Sequence, residues 1–588
     1  MDGEAKWLLL DGYEDEPAAF GVPPYIGFHV RYVAGVLESH NIPYEYVTID
    51  EWRRYSLKSD SPSEILNRIG INNLLGTVLI AGAIVPGKYL RGTPISHKEA
   101  REIISAHPRS VPFLAGGWAI RGWRQQGWNP LKQNLFLTVQ DIDATLNNFL
   151  NTNNWKHQRR TAEQWEKWAI AGASSKAVTK NQDLHGPLTY EVEVYQGCVR
   201  FRNGCKFCIE PKKGIPKDRP VDSILAEVNA ALNSGVTHFR LGGMTDVYTY
   251  MAEGVIDLEY PIPNPGPIGK LLYGMREDER LDILHTDNAN PSIIAENIEP
   301  ATEITKLLCD TLSDGSVLSF GLESADPIVH KENWLNCSSE QLKVAIRHIN
   351  QYGRKRGNRG LPKLLPGLNF IAGLNGESSE SYNLNKKLLR DLKREGMWLR
   401  RINIRQVEGE GFQTVDEKDF TNFKTWVRDE IDAPLLQELF PIGEQLKRVT
   451  WESHETRFRL PRHLEPELQD PSIHGKSGIT FGRQIGAYPI LIGVPYLIPL
   501  ESESDIIVTG HGKRSISAVE SNLDINTCTQ KQLQAIPGIG EKTAWKIISK
   551  RARLLSKNKG EDPFQNPTQA LLYSDINSKD HENILRFF

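Results

Sequence analysis

The stretch YEVEVYQGCVRFRNGCKFC, Tyr190 to Cys208, decides how this chain is read. Its first half is a strand: apolar Tyr190, Val192 and Val194 alternate with Glu191 and Glu193, so one face is acidic and the other apolar. A turn at Gly197 follows, and then Cys198, Cys205 and Cys208 crowd into one loop. The chain has six cysteines, and the other three, Cys309, Cys337 and Cys528, are scattered.

Three thiols in one loop admit several chemistries. A disulfide set leaves one thiol over, and the start MDGEAKWLLLDG lacks the form of a secretory leader, so a reducing cytoplasm is the expected compartment. A structural zinc site takes four ligands, usually as two spaced pairs. Here the loop offers one pair, Cys205 and Cys208, one further cysteine and no histidine, with His185 upstream as the candidate fourth ligand. The third chemistry is a [4Fe–4S] cluster held by three thiolates, one iron left open. An open iron chelates the amino and carboxylate groups of S-adenosylmethionine (SAM), and an electron then breaks a C–S bond to give a carbon radical.

Three cysteines after a first strand, the last two spaced Cys-x-aromatic-Cys around Phe207, resemble the radical SAM superfamily. The usual spacing there is three residues, then two. This chain has six, including Arg200, Phe201 and Arg202, and then two. The resemblance implies a partial (β/α)6 barrel over residues 185–430, in an α/β chain, with Cys198, Cys205 and Cys208 as iron ligands. Further strands are expected at 237–243, Leu281 to His285, Ser316 to Leu322, Leu368 to Ala372 and Leu399 to Gln406, with a helix from Ser223 to Asn233. Gly242-Gly243 match the Gly-Gly-Glu that holds the SAM amino group in that family; Met244 replaces the acid, and Asp246 is the residue placed to take its role. Glu323-Ser324 fall where the family hydrogen-bonds the ribose or carboxylate. Gly373 and Glu377 echo a Gly-x-x-x-Glu signature near which the adenine packs, and Asn369 and Ile371 complete the implied SAM set.

Arg401 and Arg405 share one face of the last of these strands, Arg400 the other. Two guanidiniums on one face suit a phosphate or carboxylate substrate; equally, they suit ion pairs with Glu191 or Glu193 on a nearby strand. RKRGNRG (354–360) is a second basic stretch.

At 588 residues the chain exceeds one core. With 39% hydrophobic and 24% charged residues and a net charge of −3, it reads as an ordinary soluble globular protein. The longest apolar run, Tyr488 to Leu500, is broken by Gly493 and Pro495, so no membrane partner is expected. Residues 1–150 alternate apolar strands (Lys6 to Leu10, Thr77 to Val85, Val111 to Leu114) with helices such as Tyr25 to Ser39, as in a Rossmann-like doubly wound sheet. The layout is similar to the N-terminal domain of cobalamin-binding radical SAM enzymes, but the Asp-x-His-x-x-Gly pattern that supplies a cobalt ligand in many of them is absent, so bound cobalamin stays an open cofactor without support from the residues. It is similar also to the methylthiotransferases. Those carry three cysteines in this domain, and here no cysteine precedes Cys198. Residues 151–184 read as a linking segment, polar and helix-like with a tryptophan patch (Trp155, Trp165, Trp168), in which the Ser/Lys/Asn run looks like the linker itself.

Residues 431–470 read as a helical connector, 471–520 as a small β-barrel (Gly478 to Phe481, Tyr488 to Ile492, Asp505 to Thr509, Ser515 to Val519), and 561–588 as a polar tail. The barrel's position resembles the RNA-binding barrel (OB/TRAM-like) of methylthiotransferases. Residues 521–560 resemble a helix-hairpin-helix: Asn526 or Thr527 as cap, Pro537-Gly538-Ile539-Gly540 as hairpin, then a helix bearing Ile547 and Ile548. Gly538, Gly540, Lys542 and Lys546 are its implied nucleic-acid contacts, through backbone N–H groups and charge.

The whole layout resembles an archaeal group of radical SAM proteins. It implies an enzyme that cleaves SAM and attacks a substrate through a 5′-deoxyadenosyl radical, the substrate being a nucleic acid (RNA or DNA), with ferredoxin or flavodoxin as electron donor. Two other readings stay open: a nucleic-acid-binding protein with a structural or redox cluster, and a radical SAM enzyme acting on a protein or small molecule.

Overall fold

The computed structural model describes residues 5–13, 26–59, 61–82, 93–117, 119–125, 134–185, 189–407, 411–454, 469–484, 486, 489–557, 562–574 and 576–588, without the side chains of 121, 124, 125 and 182–185. They form two compact units: Met1–Arg202, Ile209–Asn288 and Glu299–Thr311; and Asn203–Cys208, Ala289–Ile298 and Leu312–Phe588. No described helix is long and apolar enough to cross a membrane.

The first unit opens with five parallel strands: β1 (Ala5–Asp11), β2 (Tyr44–Thr48), β3 (Asn73–Ile80), β4 (Phe113–Gly116) and β5 (Leu135–Thr138), in the order β2-β1-β3-β4-β5. Leu8–Leu10 and Val78–Ile80 are fully buried on both faces, which is why they are written as continuous apolar runs. This is a doubly wound order, as the alternating pattern predicts. The strand expected over Thr77 to Val85 ends at Ile80, and its last three residues lie outside the described ones.

Helix α1 (Phe28–Ser39) covers one face of this sheet, starting three residues later than the sequence suggests. The helix-like part of 151–184 is helix α2 (Ala162–Ala173), and the reading of the Ser/Lys/Asn run as a linker is corrected, because that run forms helix α3 (Lys176–His185). Thr161 and Gln164 form a capping box at the start of α2, and Trp165 and Trp168 are buried beside Tyr32 and Val33. Gly35 of α1 and Gly172 of α2 face each other's helix backbone; a Cβ at either would overlap the carbonyl of Trp168 or Arg31.

Three further parallel strands, β6 (Thr189–Glu193), β7 (His238–Gly242) and β8 (Ile283–Thr286), lie in the order β8-β7-β6. Helix α4 (Val221–Asn233) links β6 to β7. Its Glu227 is fully buried and bonded to two buried guanidiniums, Arg31 of α1 and Arg219 (2.6 Å). Arg31 also bonds Tyr190 and the Glu191 carbonyl, so α1 is tied to β6 by charge-assisted bonds.

In the second unit β9 (Ser316–Glu323), β10 (Leu364–Ala372) and β11 (Arg401–Gln406) run side by side in parallel. The six strands expected over 185–430 are therefore all present, three in each unit. Beyond them, 431–470 is not a helical connector throughout. After Leu439 comes β12 (Gln445–His454), which opens a closed barrel with β13 (Ser477–Gln484), β14 (Leu491–Tyr496), β15 (Glu503–His511) and β16 (Ser515–Glu520). Its order is β12-β13-β14-β16-β15, with β14 and β16 parallel and the other pairs antiparallel, which is the strand arrangement of an OB-fold. The sequence hides β12 because its register shifts between Leu446 and Val449, with Arg448 at φ +58°, and a bulge interrupts the period of two.

Helices α5 (Gln530–Gln534) and α6 (Glu541–Lys557) follow. The cap of α5 is Thr529, in a capping box with Gln532, rather than Asn526 or Thr527. Asn526 instead exchanges two hydrogen bonds with the Phe564 backbone (2.9 Å each), and Thr527 donates to Asp524. The tail is more than polar filler: Phe564, Leu571, Ile584 and Phe587 join the barrel and helices α5 and α6 in one core.

Candidate functional site

The cysteine loop starts where β6 ends. Gly197 adopts φ +104°, and a Cβ there would sit 2.6 Å from the Gly214 carbonyl, which accepts a hydrogen bond from Cys198 N–H (3.2 Å). Only glycine makes this turn without strain. Arg200 N–H points to Cys198 Sγ at 3.4 Å, and burial pushes the Cys198 thiol above its ordinary pKa. Cys198 belongs to the first unit, Cys205 and Cys208 to the second. Cys208 N–H donates to the Cys205 carbonyl (3.0 Å), closing a turn between them. Lys206 N–H donates to the carbonyl of buried Asn333 (3.1 Å), whose amide is clamped in turn to the Asn375 backbone (2.8 and 3.1 Å). The Lys206 ammonium lies 5.3 Å from the Trp334 ring centre.

No disulfide joins any of the six cysteines, and the three in the loop are partly exposed. Among the described residues, no three His, Cys, Asp or Glu side chains stand together as a ready-made metal cage. The donor set still fits an iron–sulfur cluster: three accessible thiols, with a backbone N–H already directed at one sulfur. The zinc alternative rests on His185, whose side chain is outside the described ones.

Within each unit, the three parallel strands have one polar face. On β6, β7 and β8, Glu191, Arg240 and His285 lie side by side in register. Arg240 bridges Asp287 (2.5 Å) and Glu191 (3.7 Å). Tyr190, Phe239 and Leu284 make the opposite, apolar face. On β9, β10 and β11, one face carries Ser319, Gly321, Asn369, Ile371, Arg401, Asn403 and Arg405. Asn403 donates to Asn369 (2.8 Å) and accepts from Arg401 Nε (2.6 Å). Parallel sheets are usually apolar on both faces, so a polar face marks where each sheet meets something other than a packed core. Arg401 and Arg405 do share that face. Glu191 and Glu193 have partners of their own in Arg240 and in Arg160 (3.0 Å). The alternation of HFRLG puts Arg240 on one face of β7, and only the strand register sets it beside Glu191 and His285.

The strand ends hold the other expected residues. Gly242 closes β7, and a Cβ there would overlap the Glu191 carboxylate; Gly243, at φ +66°, would meet Glu193 Cγ at 2.6 Å. These glycines thus have a packing reason besides any ligand. Asp246 is buried and caps a short turn, accepting from Tyr248 N–H (3.0 Å). Glu323 is the end of β9 and sits at φ +64°, with Ser324 N–H bonded to the Leu322 carbonyl (2.8 Å) in a γ-turn. Its carboxylate lies over Gly321, where a Cβ would come within 2.7 Å of it. Buried Ser324 accepts from Asp326 N–H (3.2 Å). Asn369 and Ile371 are half-buried on the polar face of β10. Glu377 accepts from Gly373 N–H (3.1 Å) and Tyr382 OH (2.8 Å), so this pair closes its own loop. Gly538 (φ +93°) and Gly540 are exposed in the α5–α6 turn, and Lys542 and Lys546 follow on α6.

No protein-family model matches the chain. An uncharacterised protein of Methanocaldococcus jannaschii is 33% identical over 534 residues, spanning 87% of this chain and 92% of that one. An uncharacterised protein of Archaeoglobus fulgidus is 34% identical over 546 residues, 91% and 93% of the two chains. A tRNA-2-methylthio-N(6)-dimethylallyladenosine synthase of Saccharopolyspora erythraea is 25% identical over 203 residues, 34% of this chain and 36% of that one. Similar solved structures include the radical SAM methyltransferase TsrM from Kitasatospora setae (13% identity, TM-score 0.42, 66% and 71% of the chains). Another is the cobalamin-dependent SAM radical enzyme OxsB (13%, TM-score 0.45, 74% and 56%).

Proposed function

We propose that this chain, which belongs to the family of the Methanocaldococcus jannaschii and Archaeoglobus fulgidus proteins, is a radical SAM enzyme acting on a nucleic acid. The observation that carries the enzyme reading is the placement of three accessible thiols in the loop directly after β6, the first strand in chain order of its parallel sheet. Cys198, Cys205 and Cys208 hold a [4Fe–4S] cluster, which when bound supplies one electron to the SAM sulfonium and so releases methionine and a 5′-deoxyadenosyl radical. The Gly242-Gly243 turn leads to Asp246, the residue that takes the SAM amino group. Glu323 and Ser324 orient ribose or carboxylate, and Asn369 and Ile371 line the adenine. Asn333 and Asn375 fix the Cys205–Cys208 turn.

The nucleic-acid part is supported by the OB-type strand order of the β12–β16 barrel and by the cationic helix α6, whose approach through Gly538 and Gly540 fits a helix-hairpin-helix. The enzyme reading is tested by reconstituting the protein anaerobically and adding reductant and SAM. Release of 5′-deoxyadenosine is expected; a fully loaded protein that releases none refutes it. Recovery of crosslinked RNA tests the substrate.

A further inference from the structure

Helix α6, EKTAWKIISKRARLLSK, has two faces of unlike character. Ala544 and Ile547 are buried in the core shared with the barrel, and Arg551 is pinned beneath the helix by donating to the Ile525 and Cys528 carbonyls (3.0 and 2.8 Å). The outer side carries Lys542, Lys546, Lys550, Arg553 and Lys557, spaced four, four, three and four residues apart. That spacing puts them on one stripe, about 22 Å long at 1.5 Å per residue. Glu541 is the only acid in the helix. Same-sign charges four residues apart destabilise a helix, so a stripe of five cations calls for a polyanion to offset it.

Beside the stripe, on the same outer side, stands Trp545, 61% exposed. Among the described residues it has no hydrogen bond, ring contact or ion pair. An indole left in water next to a row of cations is the combination that binds unpaired bases: phosphates meet the charges, and a base stacks on the ring. A duplex keeps its bases stacked on one another and offers no face to Trp545. Tyr573 lies 3.9 Å below the Lys550 ammonium, so its ring holds that cation in place on the stripe. The α5–α6 turn is less open than its sequence suggests, because Ile584 of the tail approaches within 3.2 Å of the Cβ position at Gly538.

We infer that α6 is a docking rail for single-stranded nucleic acid, with the Lys542 to Lys557 stripe following the phosphates and Trp545 stacking one base. The inference rests on the nucleic-acid part of the proposed function and adds the strandedness and the residues.

The test is a binding titration of the full-length protein with labelled oligonucleotides of about 12 residues, a site size in the range such surfaces cover: an RNA strand, the matching DNA strand and the duplex, each over a series of salt concentrations. Single strands are expected to bind more tightly than duplex. Trp545→Ala weakens them by roughly tenfold and Trp545→Phe restores most of the loss. Lys542→Ala and Lys546→Ala each lower the slope of log affinity against log salt by about 0.7. Equal affinity for RNA and DNA strands, or a preference for RNA, supports the inference. Preferential duplex binding, a Trp545→Ala variant that binds like wild type, or unchanged salt slopes overturn it. Thermal melting of each variant shows whether it folds; a variant that melts early is replaced by Trp545→Lys, which keeps the helix and still removes the stacking ring. A protein that cleaves SAM but binds no strand refutes this inference alone; one that binds strands through Trp545 but never cleaves SAM refutes only the enzyme reading.

Discussion

Replacing Glu323 by glycine is expected to leave the protein as stable or more stable while weakening its hold on SAM. Glu323 sits at φ +64°, in a γ-turn at the end of β9. The left-handed region costs a side-chain-bearing residue roughly 1–2 kcal/mol, and the surrounding structure maintains it. Ser324 N–H bonds Leu322, Ala325 N–H bonds Asn385 Oδ1 (2.6 Å), and His330 bonds the Ser324 carbonyl. Glycine removes that strain but has more freedom to lose on folding, about 0.5–1 kcal/mol. The net for Glu323→Gly is therefore between no change and about 1.5 kcal/mol of stabilisation, a rise in melting midpoint of up to about 3 °C. Glu323→Ala keeps the strain and loses the carboxylate, so it melts below the glycine variant. Both variants are expected to bind SAM on the cluster-loaded protein at least tenfold more weakly. Backbone strain that the surrounding structure holds in place clusters at functional positions. The reasoning fails if Glu323→Gly melts more than about 2 °C below wild type, which would mean that the side chain itself builds the turn. It fails equally if Glu323→Ala binds SAM as tightly as wild type.

Alanine at Cys198, Cys205 or Cys208 is expected to abolish iron–sulfur absorbance, whereas alanine at the buried Cys309, Cys337 or Cys528 leaves the iron content of the reconstituted protein unchanged. Glu227→Gln leaves two buried guanidiniums, Arg31 and Arg219, without their shared carboxylate; the loss is about 3–5 kcal/mol, read as a fall of about 6–10 °C in melting midpoint. Gly172→Ala forces α2 away from the Arg31 carbonyl and is expected to lower the midpoint by several degrees, with Gly35→Ala doing the same from the other helix. Burial pushes the Asp11 carboxyl up to about 6 from 3.8, against hydrogen bonds from Tyr46 and Tyr13. The folded state thus holds this proton longer than the unfolded chain. Its contribution to stability is full below about pH 3.8 and lost as pH rises through 6, about 3 kcal/mol in total. Asp11→Asn is expected to flatten the melting midpoint between pH 4 and 6; an unchanged slope counts against it.

Much of the candidate site is legible in the sequence because it is local. The thiol loop, the strand before it and the glycine turn at Gly197 lie within one stretch, and period-two alternation states which side chains share a strand face. The parallel strands were legible for a related reason: buried on both faces, or on one, they must be written as apolar runs or alternations. Features carried by irregularity were not. The bulge at Leu446 to Val449 masks β12. The polar Ser/Lys/Asn run hides α3. The cap at Thr529 competes with two equally plausible neighbours, and only the Phe564 backbone explains why Asn526 is used elsewhere.

By itself the sequence determined the order of the elements, the three-thiol loop, the pairing of Arg401 with Arg405 and the cationic spacing along α6. The tertiary structure alone decided that Arg240 joins Glu191 to Asp287, that Glu323 is held in a left-handed turn, that β12 closes the barrel, and that the tail completes the core over α5 and α6. The division follows from distance along the chain. Spacing and periodicity act over a few residues and are written in them directly. Register, closure and strain are set by partners tens to hundreds of residues away, and they exist only when the chain has brought those partners together.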